Sequence, residues 1–253
     1  MQLAGKRIVV TGGANGIAAA TVRAYAREGA RVASLDVEDE LGRQVAAEAG
    51  PSVGYHHCDV SRRDDVFAVF DRVAGELGGI DVLANVAAVE GPKDAEHITE
   101  PELERMFRVN VYGTVYTNQA AFRHMKERGG RIINFGSGAG IRGQRGSAHY
   151  SATKGAVMSW TRTVAQEWAQ YGITVNSVVP AIWTRMYDSY RRHLSEQELA
   201  IHDMAMAHVI PLGGRLGDPD RDMAPVMIFL ASDAPRFITG QIFPVDGGMV
   251  MLS

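Results

Sequence analysis

The chain has 253 residues, of which 46% are hydrophobic and 22% are charged. These fractions are close to the average for globular proteins and exclude disordered, collagen-like or coiled-coil sequence as the bulk of the chain. The 26 basic and 29 acidic residues give a formal net charge of −3, so we expect no general attraction to nucleic acid or to acidic membranes. A single cysteine, Cys58, excludes an intrachain disulfide and a cysteine-rich zinc site.

The cellular compartment is predicted from the lack of two sequence features, a membrane span and a signal peptide. No apolar run reaches the roughly 18 residues that a membrane span needs. Residues 1–7 lack the apolar core of a signal peptide and lead directly into a strand-like run. We therefore expect a cytoplasmic protein that has neither a membrane nor a nucleic acid as its partner.

In the first half of the chain, β-branched runs alternate with segments of helical apolar spacing. The runs predict strands over residues 7–11, 31–36, 53–58 and 80–86. The spacing between them predicts helices over residues 16–28, 39–49 and 62–77.

The same alternation continues after the midpoint. It predicts helices over about 101–126, 150–170 and 220–231, and strands over 131–136, 173–179 and 241–245. Apolar strands separated by helices are typical of a parallel sheet that is covered on both faces. The pattern predicts an α/β fold with a single Rossmann-type doubly wound parallel sheet flanked by helices on both faces, in one domain over residues 1–253.

A glycine-rich turn follows the first predicted strand. It reads Thr11-Gly12-Gly13-Ala14-Asn15-Gly16-Ile17-Ala18. The N–H groups at a helix N-terminus favour a pyrophosphate, and glycines let the backbone approach it closely. The spacing is not the Gly-x-Gly-x-x-Gly of the general dinucleotide fingerprint. A dinucleotide site and a plain tight turn before a helix both remain open on this motif alone.

Asp36 ends the second predicted strand. An acid at this place can bind the hydroxyls of an adenine ribose, and it repels the additional phosphate of NADP. Neither Val37 nor Asn15 supplies a cation for that phosphate. The pattern therefore favours NAD, although a solvated acid at a strand end is the alternative. Asp59 either caps the third strand or contacts adenine, and Cys58 is expected to be a buried apolar residue rather than a nucleophile.

Tyr150 and Lys154 lie four residues apart, on one face of a predicted helix. A phenol with a pKa near 10 is a poor base at neutral pH, and a nearby cation favours the phenolate. Such a pair can exchange a proton with an alcohol or a carbonyl group. The alternative is a half-buried tyrosine beside a surface lysine.

The motifs together resemble the short-chain dehydrogenase/reductase family, in its subfamily of about this chain length. They stand in the family's order: Thr11–Gly16, Asp36, Asn85, Asn110, Ser137, Tyr150, Lys154 and Asn176-Ser-Val-Val-Pro180. The resemblance extends from Gly5 to Val245-Asp246-Gly247-Gly248. It implies a homotetramer formed through the long helices near 101–126 and 150–170 and through the last helix and strand.

The resemblance also implies a catalytic set of four residues. Tyr150 would be the general acid/base, and Lys154 would lower its pKa and hold the nicotinamide ribose. Ser137 would hydrogen-bond the substrate oxygen. Asn110 would hold a water that relays protons beyond Lys154.

Binding residues are implied in the same way. The cofactor site would comprise Gly12, Asn15, Gly16, Ile17, Asp36, Asp59, Val60, Asn85, Ala87, Tyr150, Lys154, Pro180 and Trp183. The substrate side would comprise Ala139, Gln144, Trp183 and Tyr187, with a substrate lid over about 183–209. Packing inside the lid is the alternative role for its aromatic residues. The histidines lack the compact spacing of a metal site, so no metal is expected. His149, which precedes Tyr150, is expected on another helix face, most simply at the surface, and a role in the substrate loop is the alternative.

The chain departs from the family pattern at four places. The glycine motif ends in Ala18, and the loop after the fourth strand reads Asn85-Val86-Ala87-Ala88. The usual Pro-Gly is Pro180-Ala181, and Thr184 stands one position before the usual threonine, which is Arg185 here. None of these changes removes a group that the chemistry needs.

The sequence as a whole predicts an NAD-dependent alcohol dehydrogenase or ketone reductase. Its substrate would be a secondary alcohol or ketone on a fairly hydrophobic, cyclic or aromatic skeleton. The main alternative is a 3-oxoacyl-carrier-protein reductase, against which Asp36 counts because those enzymes usually use NADPH. A non-catalytic NAD-binding sensor is a further alternative, against which the presence of Tyr150 and Lys154 counts.

Overall fold

The computed structural model describes residues 1–251, without the side chains of Arg185, Met186, Ser189 and Tyr190. The strands of this part of the chain are β1 Arg7–Thr11, β2 Arg31–Asp36, β3 Val53–His57, β4 Val82–Asn85, β5 Gly130–Phe135, β6 Ile173–Pro180 and β7 Ile242–Val245. All of them pair in parallel, in the order β3-β2-β1-β4-β5-β6-β7. The predicted α/β fold with one parallel sheet is confirmed.

Helices cover both faces of this sheet. They are α1 Gly16–Arg27, α2 Asp39–Ala49, α3 Arg63–Leu77, α4 Glu100–Phe107, α5 Gly113–Met125, α6 Gly138–Arg142, α7 Ala148–Trp168, α8 Arg185–Arg192, α9 Glu196–Val209 and α10 Ala224–Ala231. None of the described helices is both long and apolar enough to cross a membrane.

The strands are apolar along their whole length because each face of the sheet has its own core. On β1, Ile8 and Val10 belong to the cluster that includes Tyr25 of α1, whereas Val9 belongs to the cluster that includes Phe70 of α3. Successive side chains of a strand point to opposite faces, so a strand between two helix layers must be apolar at every position.

The predicted helix over 101–126 is interrupted in the structure. A π-helical turn, Arg108–Tyr112, separates α4 from α5. Within this turn Asn110 is 1% exposed, and its side chain bonds to the loop that follows β4. Single π-helical turns inside α-helices often occur at functional sites. The helices missing from the prediction are a 3₁₀ turn at Ala95–His97, α6, and α8 and α9 in the segment predicted as the substrate lid.

The order of the strands determines where in the sheet a ligand site is expected. β1 lies between β2 and β4, with Thr11 opposite Asn85. The chain runs outward to β2 and β3 on one side and to β4 through β7 on the other, so the crossovers diverge between β1 and β4. Ligands of open parallel sheets bind at such a divergence, beyond the carboxyl ends of the strands.

Candidate active site

The turn between β1 and α1 approaches its neighbours so closely that glycine is required. Gly12 has a φ of 72°, and a Cβ there would lie 2.9 Å from the Ala87 Cα. A Cβ on Gly13 would overlap the Ser34 hydroxyl of β2. Gly16, in contrast, has open space at its Cβ position. The turn therefore leaves the N-terminus of α1 facing open space, where its free N–H groups can meet an anion.

A groove of about 710 Å³ runs along this edge of the sheet. Its walls include eight of the predicted cofactor residues, namely Gly12, Asn15, Gly16, Ile17, Asp36, Asp59, Val60 and Ala87. Ala18, Val86, Ala88 and Thr184, which depart from the family pattern, line it as well. The groove has the size of a ligand site, about 300–1,000 Å³.

The Asp36 carboxylate is fixed at the end of β2 by three backbone N–H groups. Its Oδ2 accepts from the Ala14 N at 2.9 Å, and its Oδ1 accepts from the Val37 N at 2.7 Å and the Glu38 N at 3.0 Å. A carboxylate has about four acceptor positions, so it can still accept from a sugar hydroxyl. With the free N–H groups of α1 and the apolar wall around Val60, the residues present fit an adenine dinucleotide.

Five predicted cofactor residues do not line this groove: Asn85, Tyr150, Lys154, Pro180 and Trp183. Asn85 is 4% exposed. Its Oδ1 accepts from the hydroxyls of Thr11 at 2.9 Å and Thr117 at 3.0 Å. The Thr11 hydroxyl in turn accepts from the backbone N–H groups of Val86 and Ala87. Asn85 therefore supports the groove wall from beneath rather than forming it.

Tyr150 lies in the first turns of α7, beside the carboxyl end of β5. Burial raises the pKa of its phenol to about 12, the carboxylate of Glu90 raises it too, and a hydrogen bond with Ser137 lowers it. Burial therefore sets the direction of the net shift of this pKa, and the predicted lowering by Lys154 stays a prediction.

Lys154 is 4% exposed. Its Nζ donates to the Phe135 carbonyl oxygen at 2.9 Å and lies 5.7 Å from the centroid of the Tyr150 ring. Burial lowers the pKa of the ammonium to about 8, against a smaller raising effect of Glu90. The alternative interpretation, a surface lysine beside a half-buried tyrosine, is thereby excluded.

Ser137 begins α6, where its Oγ accepts from the Ala139 N at 3.1 Å. Because Asn85 of β4 is paired with Asn134 of β5, the segments that follow these two strands leave the sheet at one edge. Ser137 and Tyr150 therefore lie at the same edge of the sheet as the groove.

The Asn110 side chain forms hydrogen bonds with two other segments of the protein. Its Oδ1 accepts from the Val89 N at 2.8 Å, and its Nδ2 donates to the Val89 carbonyl oxygen at 2.8 Å and to the Thr153 hydroxyl at 3.1 Å. The side chain thus ties the loop after β4 to α7. Its predicted role in holding a water stays a prediction.

The predicted substrate residues divide into three environments. Ala139 is buried and Gln144 is exposed. Trp183 and Tyr187 are half-buried and pack against each other edge to face, with ring centroids 4.8 Å apart. The Trp183 Nε1 donates to Asp188 at 2.6 Å. These contacts agree with packing inside the segment 183–209, and contact of either ring with substrate stays a prediction.

The structure corrects one expectation and adds residues that sequence patterns did not indicate. His149 is 6% exposed and lines a second cavity with Glu90 and Arg105, so the expected surface position is wrong. Cys58 is buried, and burial raises the pKa of its thiol to about 12, in agreement with an unreactive residue. Val89 and Arg105 also line the groove. Among the described residues, no group of His, Cys, Asp and Glu side chains is arranged to hold a metal ion.

Comparison with known proteins gives matches along the whole chain. A family model described as enoyl-(acyl carrier protein) reductase matches residues 12–250. Sorbitol dehydrogenase of Cereibacter sphaeroides is 37% identical over 98% of this chain and 98% of its own length. The 2,5-dichloro-2,5-cyclohexadiene-1,4-diol dehydrogenase of Sphingobium indicum is 35% identical over 99% of each chain. The 3-oxoacyl-[acyl-carrier-protein] reductase of Thermotoga maritima is 35% identical over 99% of this chain and 100% of its own.

Proposed function

The chain belongs to the short-chain dehydrogenase/reductase family, whose dehydrogenases use a nicotinamide cofactor, and we propose that it is an NAD-dependent enzyme that interconverts a secondary alcohol and a ketone. The observation that carries the proposal is the pair formed by the half-buried Tyr150 and the buried Lys154 beside Ser137, at the same edge of the sheet as the groove.

The residues of this chain would divide the binding of NAD between them. Asp36 would accept hydrogen bonds from the adenine ribose, and the first turn of α1, opened by Gly12 and Gly16, would hold the pyrophosphate. The bound nicotinamide supplies the acceptor or donor for hydride, while the protein orients the reacting groups. Val37 at the end of β2 offers no cation to a ribose phosphate, which supports NAD over NADP.

Proton transfer would be the task of Tyr150. In oxidation its oxygen takes the proton of the substrate hydroxyl, and in reduction it returns that proton to the carbonyl oxygen. Ser137, which hydrogen-bonds the phenol, would also bond the substrate oxygen and hold it beside Tyr150. Lys154 would hold a positive charge near the phenol and bind the nicotinamide ribose. A phenol pKa of about 12 keeps the proton on Tyr150 at neutral pH, so oxidation should quicken as the pH rises.

We propose a fairly hydrophobic, cyclic or aromatic skeleton for the substrate, with Trp183 and Tyr187 on its apolar side. Relatives named for a cyclohexadiene diol and for sorbitol support an alcohol group on a multiply substituted carbon skeleton. The homotetramer and the cytoplasmic location predicted from the sequence stay predictions, and light scattering on the purified protein tests the first.

A 3-oxoacyl-carrier-protein reductase is the second candidate. A relative of that name matches the whole chain, and Arg105 places one cation in the groove wall. Asp36 counts against it. The third alternative, a sensor that binds NAD without turnover, is opposed by the presence of all four catalytic residues.

The test is nicotinamide absorbance during oxidation of a panel of secondary alcohols, run in parallel with NAD and NADP. The panel spans cyclic, aromatic, terpenoid, steroid and 3-hydroxyacyl compounds. Turnover of cyclic or aromatic alcohols with NAD is the expected result. Turnover only with NADP and 3-hydroxyacyl compounds would establish the acyl reductase instead, and binding of NAD without turnover would favour the sensor.

A further inference from the structure

Helix α9, Glu196–Val209, lies on the surface of the protein and contributes to neither core. None of its residues is buried, and the large apolar side chains of Ile201 and Met204 are 69% and 75% exposed. Apolar burial therefore stabilises the attachment of this helix only slightly. Its position depends mainly on polar contacts with the segment that precedes it.

Asp203 supplies the ionic part of this attachment. Its carboxylate accepts hydrogen bonds from both terminal nitrogens of Arg191 in α8, with a distance of 2.9 Å between Nη2 and Oδ2. The Arg191 side chain is 19% exposed, so solvent screens this pair less than an ion pair at the open surface. The two bonds together also fix the orientation of the guanidinium plane.

Arg191 connects Asp203 to two aromatic rings. Its guanidinium carbon lies 5.1 Å from the centroid of the Trp183 ring and 5.7 Å from that of the Tyr187 ring. Both distances are within the range of a cation–π attraction. Because the two rings also pack against each other, at 4.8 Å between centroids, the guanidinium and the rings form one cluster.

A second connection from Asp203 to Tyr187 runs through His202. The His202 Nδ1 lies 3.2 Å from the Asp203 Oδ1, and its Nε2 lies 3.3 Å from the Tyr187 hydroxyl oxygen. An ionised carboxylate can only accept, so Nδ1 carries the proton and Nε2 of the neutral ring accepts from the hydroxyl. One carboxylate is therefore connected to the Tyr187 side chain through two different residues.

The aromatic pair begins at the edge of the sheet where the groove and Ser137 lie. Strands β5 and β6 are parallel neighbours, so the segment after β6 leaves the sheet at the same edge as Ser137. The Trp183 N donates to the Gly217 carbonyl oxygen at 2.7 Å, and the next residue, Thr184, lines the groove. The backbone of Trp183 is thus fixed beside the groove, and its ring is held by Arg191.

We propose that Asp203 is a positioning residue, which holds the aromatic pair of Trp183 and Tyr187 in place as an apolar wall of the substrate site. The inference rests on the proposed function, in which these two rings contact the carbon skeleton of the substrate. Without the carboxylate, Arg191 and His202 lose their shared partner. The rings then gain conformational freedom that substrate binding has to remove, and only a substrate large enough to reach them is affected.

The experiment measures KM and kcat with NAD for two secondary alcohols of different size, cyclohexanol and 2-propanol. Asp203→Asn should raise KM for cyclohexanol about 5-fold, the loss expected when a cation no longer holds the rings. It should leave kcat for cyclohexanol, and KM for the smaller 2-propanol, within about 2-fold. Arg191→Met should have the same effects, because it removes the other member of the ion pair.

Asp71→Asn is the matched control. The Asp71 side chain is 50% exposed, against 49% for Asp203, and it also lies beside an arginine and a histidine, Arg123 at 3.8 Å and His124 at 2.9 Å. It belongs to α3 and does not line the groove, so both constants should stay at their wild-type values. An equal rise in KM for both alcohols in Asp203→Asn, or a rise for cyclohexanol in Asp71→Asn, overturns the inference.

A second readout does not depend on turnover. Quenching of tryptophan fluorescence by acrylamide measures the access of solvent to the indole rings, and a comparison with Trp183→Phe isolates the contribution of Trp183 from those of Trp160 and Trp168. The Trp183 contribution should be quenched more strongly in Asp203→Asn than in the wild type. Equal quenching overturns the inference, because the ring is then held without Asp203.

Failure of the proposed function is distinguishable from failure of the inference. A panel of alcohols without turnover by either cofactor overturns the proposed function and the substrate wall with it, even where the quenching of Trp183 changes. Turnover in which Asp203→Asn keeps the wild-type KM for cyclohexanol overturns the inference alone.

Discussion

The Lys154 ammonium donates a hydrogen bond to the carbonyl oxygen of Phe135, the last residue of β5, at 2.9 Å. This bond anchors the catalytic helix α7 to the strand that leads to Ser137. It also keeps the cation in a buried position, where its pKa is lowered to about 8. Burial disfavours the charged form of Lys154. Holding this positive charge beside Tyr150 therefore lowers the stability of the folded protein.

Lys154→Met should change the dependence of stability on pH. The folded-state pKa of Lys154, about 8, lies below its ordinary value of 10.5. The unfolded chain therefore binds more protons between these values, and the stability of the wild type gains from rising pH across that window. The gain is on the order of 3 kcal/mol. The variant lacks it, so the wild type should become more stable relative to the variant between pH 7 and pH 10.

Urea denaturation of both proteins at the two pH values measures this difference. Lys126→Met, which removes an exposed ammonium, is the control. A difference in the free energy of unfolding that stays constant with pH would contradict the prediction.

Tyr150→Phe should remove the proton donor and leave the fold intact, since the ring is retained. General acid–base catalysis contributes about 10²- to 10⁴-fold, so we expect kcat to fall by that factor. The binding of NADH, followed by its fluorescence, should be unchanged because Tyr150 does not line the groove. Tyr112→Phe, at a side chain that is 46% exposed, is the control. Activity of Tyr150→Phe near that of the wild type would remove Tyr150 from the mechanism.

Asp36→Asn should weaken the binding of NAD and relax the discrimination against NADP. The asparagine keeps one acceptor oxygen, but it loses the charge that repels a ribose phosphate and strengthens bonds to ribose hydroxyls. Bonds to charged groups contribute about 1.5–3 kcal/mol, so the Kd for NAD should rise at least about 10-fold. Calorimetric titration with NAD and NADP measures both effects, with the exposed Asp64→Asn as control. If neither affinity moves, Asp36 does not contact the cofactor.

Local sequence patterns were enough to predict the parallel sheet and the part of the candidate site that follows β1 and β2. The strands are rich in apolar, β-branched residues because helices cover both faces of the sheet. This composition can be read at each position of the sequence. Asp36 and the turn around Gly12 could be predicted because the groove is built from short segments that directly follow β1 and β2.

The other half of the site depends on contacts between distant segments. Glu90, whose charge raises the pKa of Tyr150, carries no local signal, since the position of its loop follows from the bonds of Asn110 to Val89 and of Lys93 to Gly146. His149 was predicted at the surface, but α4 and the loop after β4 cover it. The π-helical turn at Asn110 likewise cannot be recognised in the sequence, because the spacing of apolar residues on either side of it is that of a continuous helix.

A comparison of Gly12→Ala with Gly5→Ala separates two costs to stability, the strained backbone at a positive φ and the close contact of an added Cβ in the glycine turn. Both glycines have similar positive φ values, 72° and 74°, so alanine should cost about 1–2 kcal/mol of stability at each position. At Gly5 nothing lies within 4 Å of the added Cβ, whereas at Gly12 it would lie 2.9 Å from the Ala87 Cα. Overpacking adds about 1–3 kcal/mol, so Gly12→Ala should be the less stable variant by that amount. It should also bind NADH more weakly, because Ala87 forms part of the groove. Thermal unfolding and NADH titration of the two variants test this, and equal losses of stability would show that the loop after β4 moves away without cost.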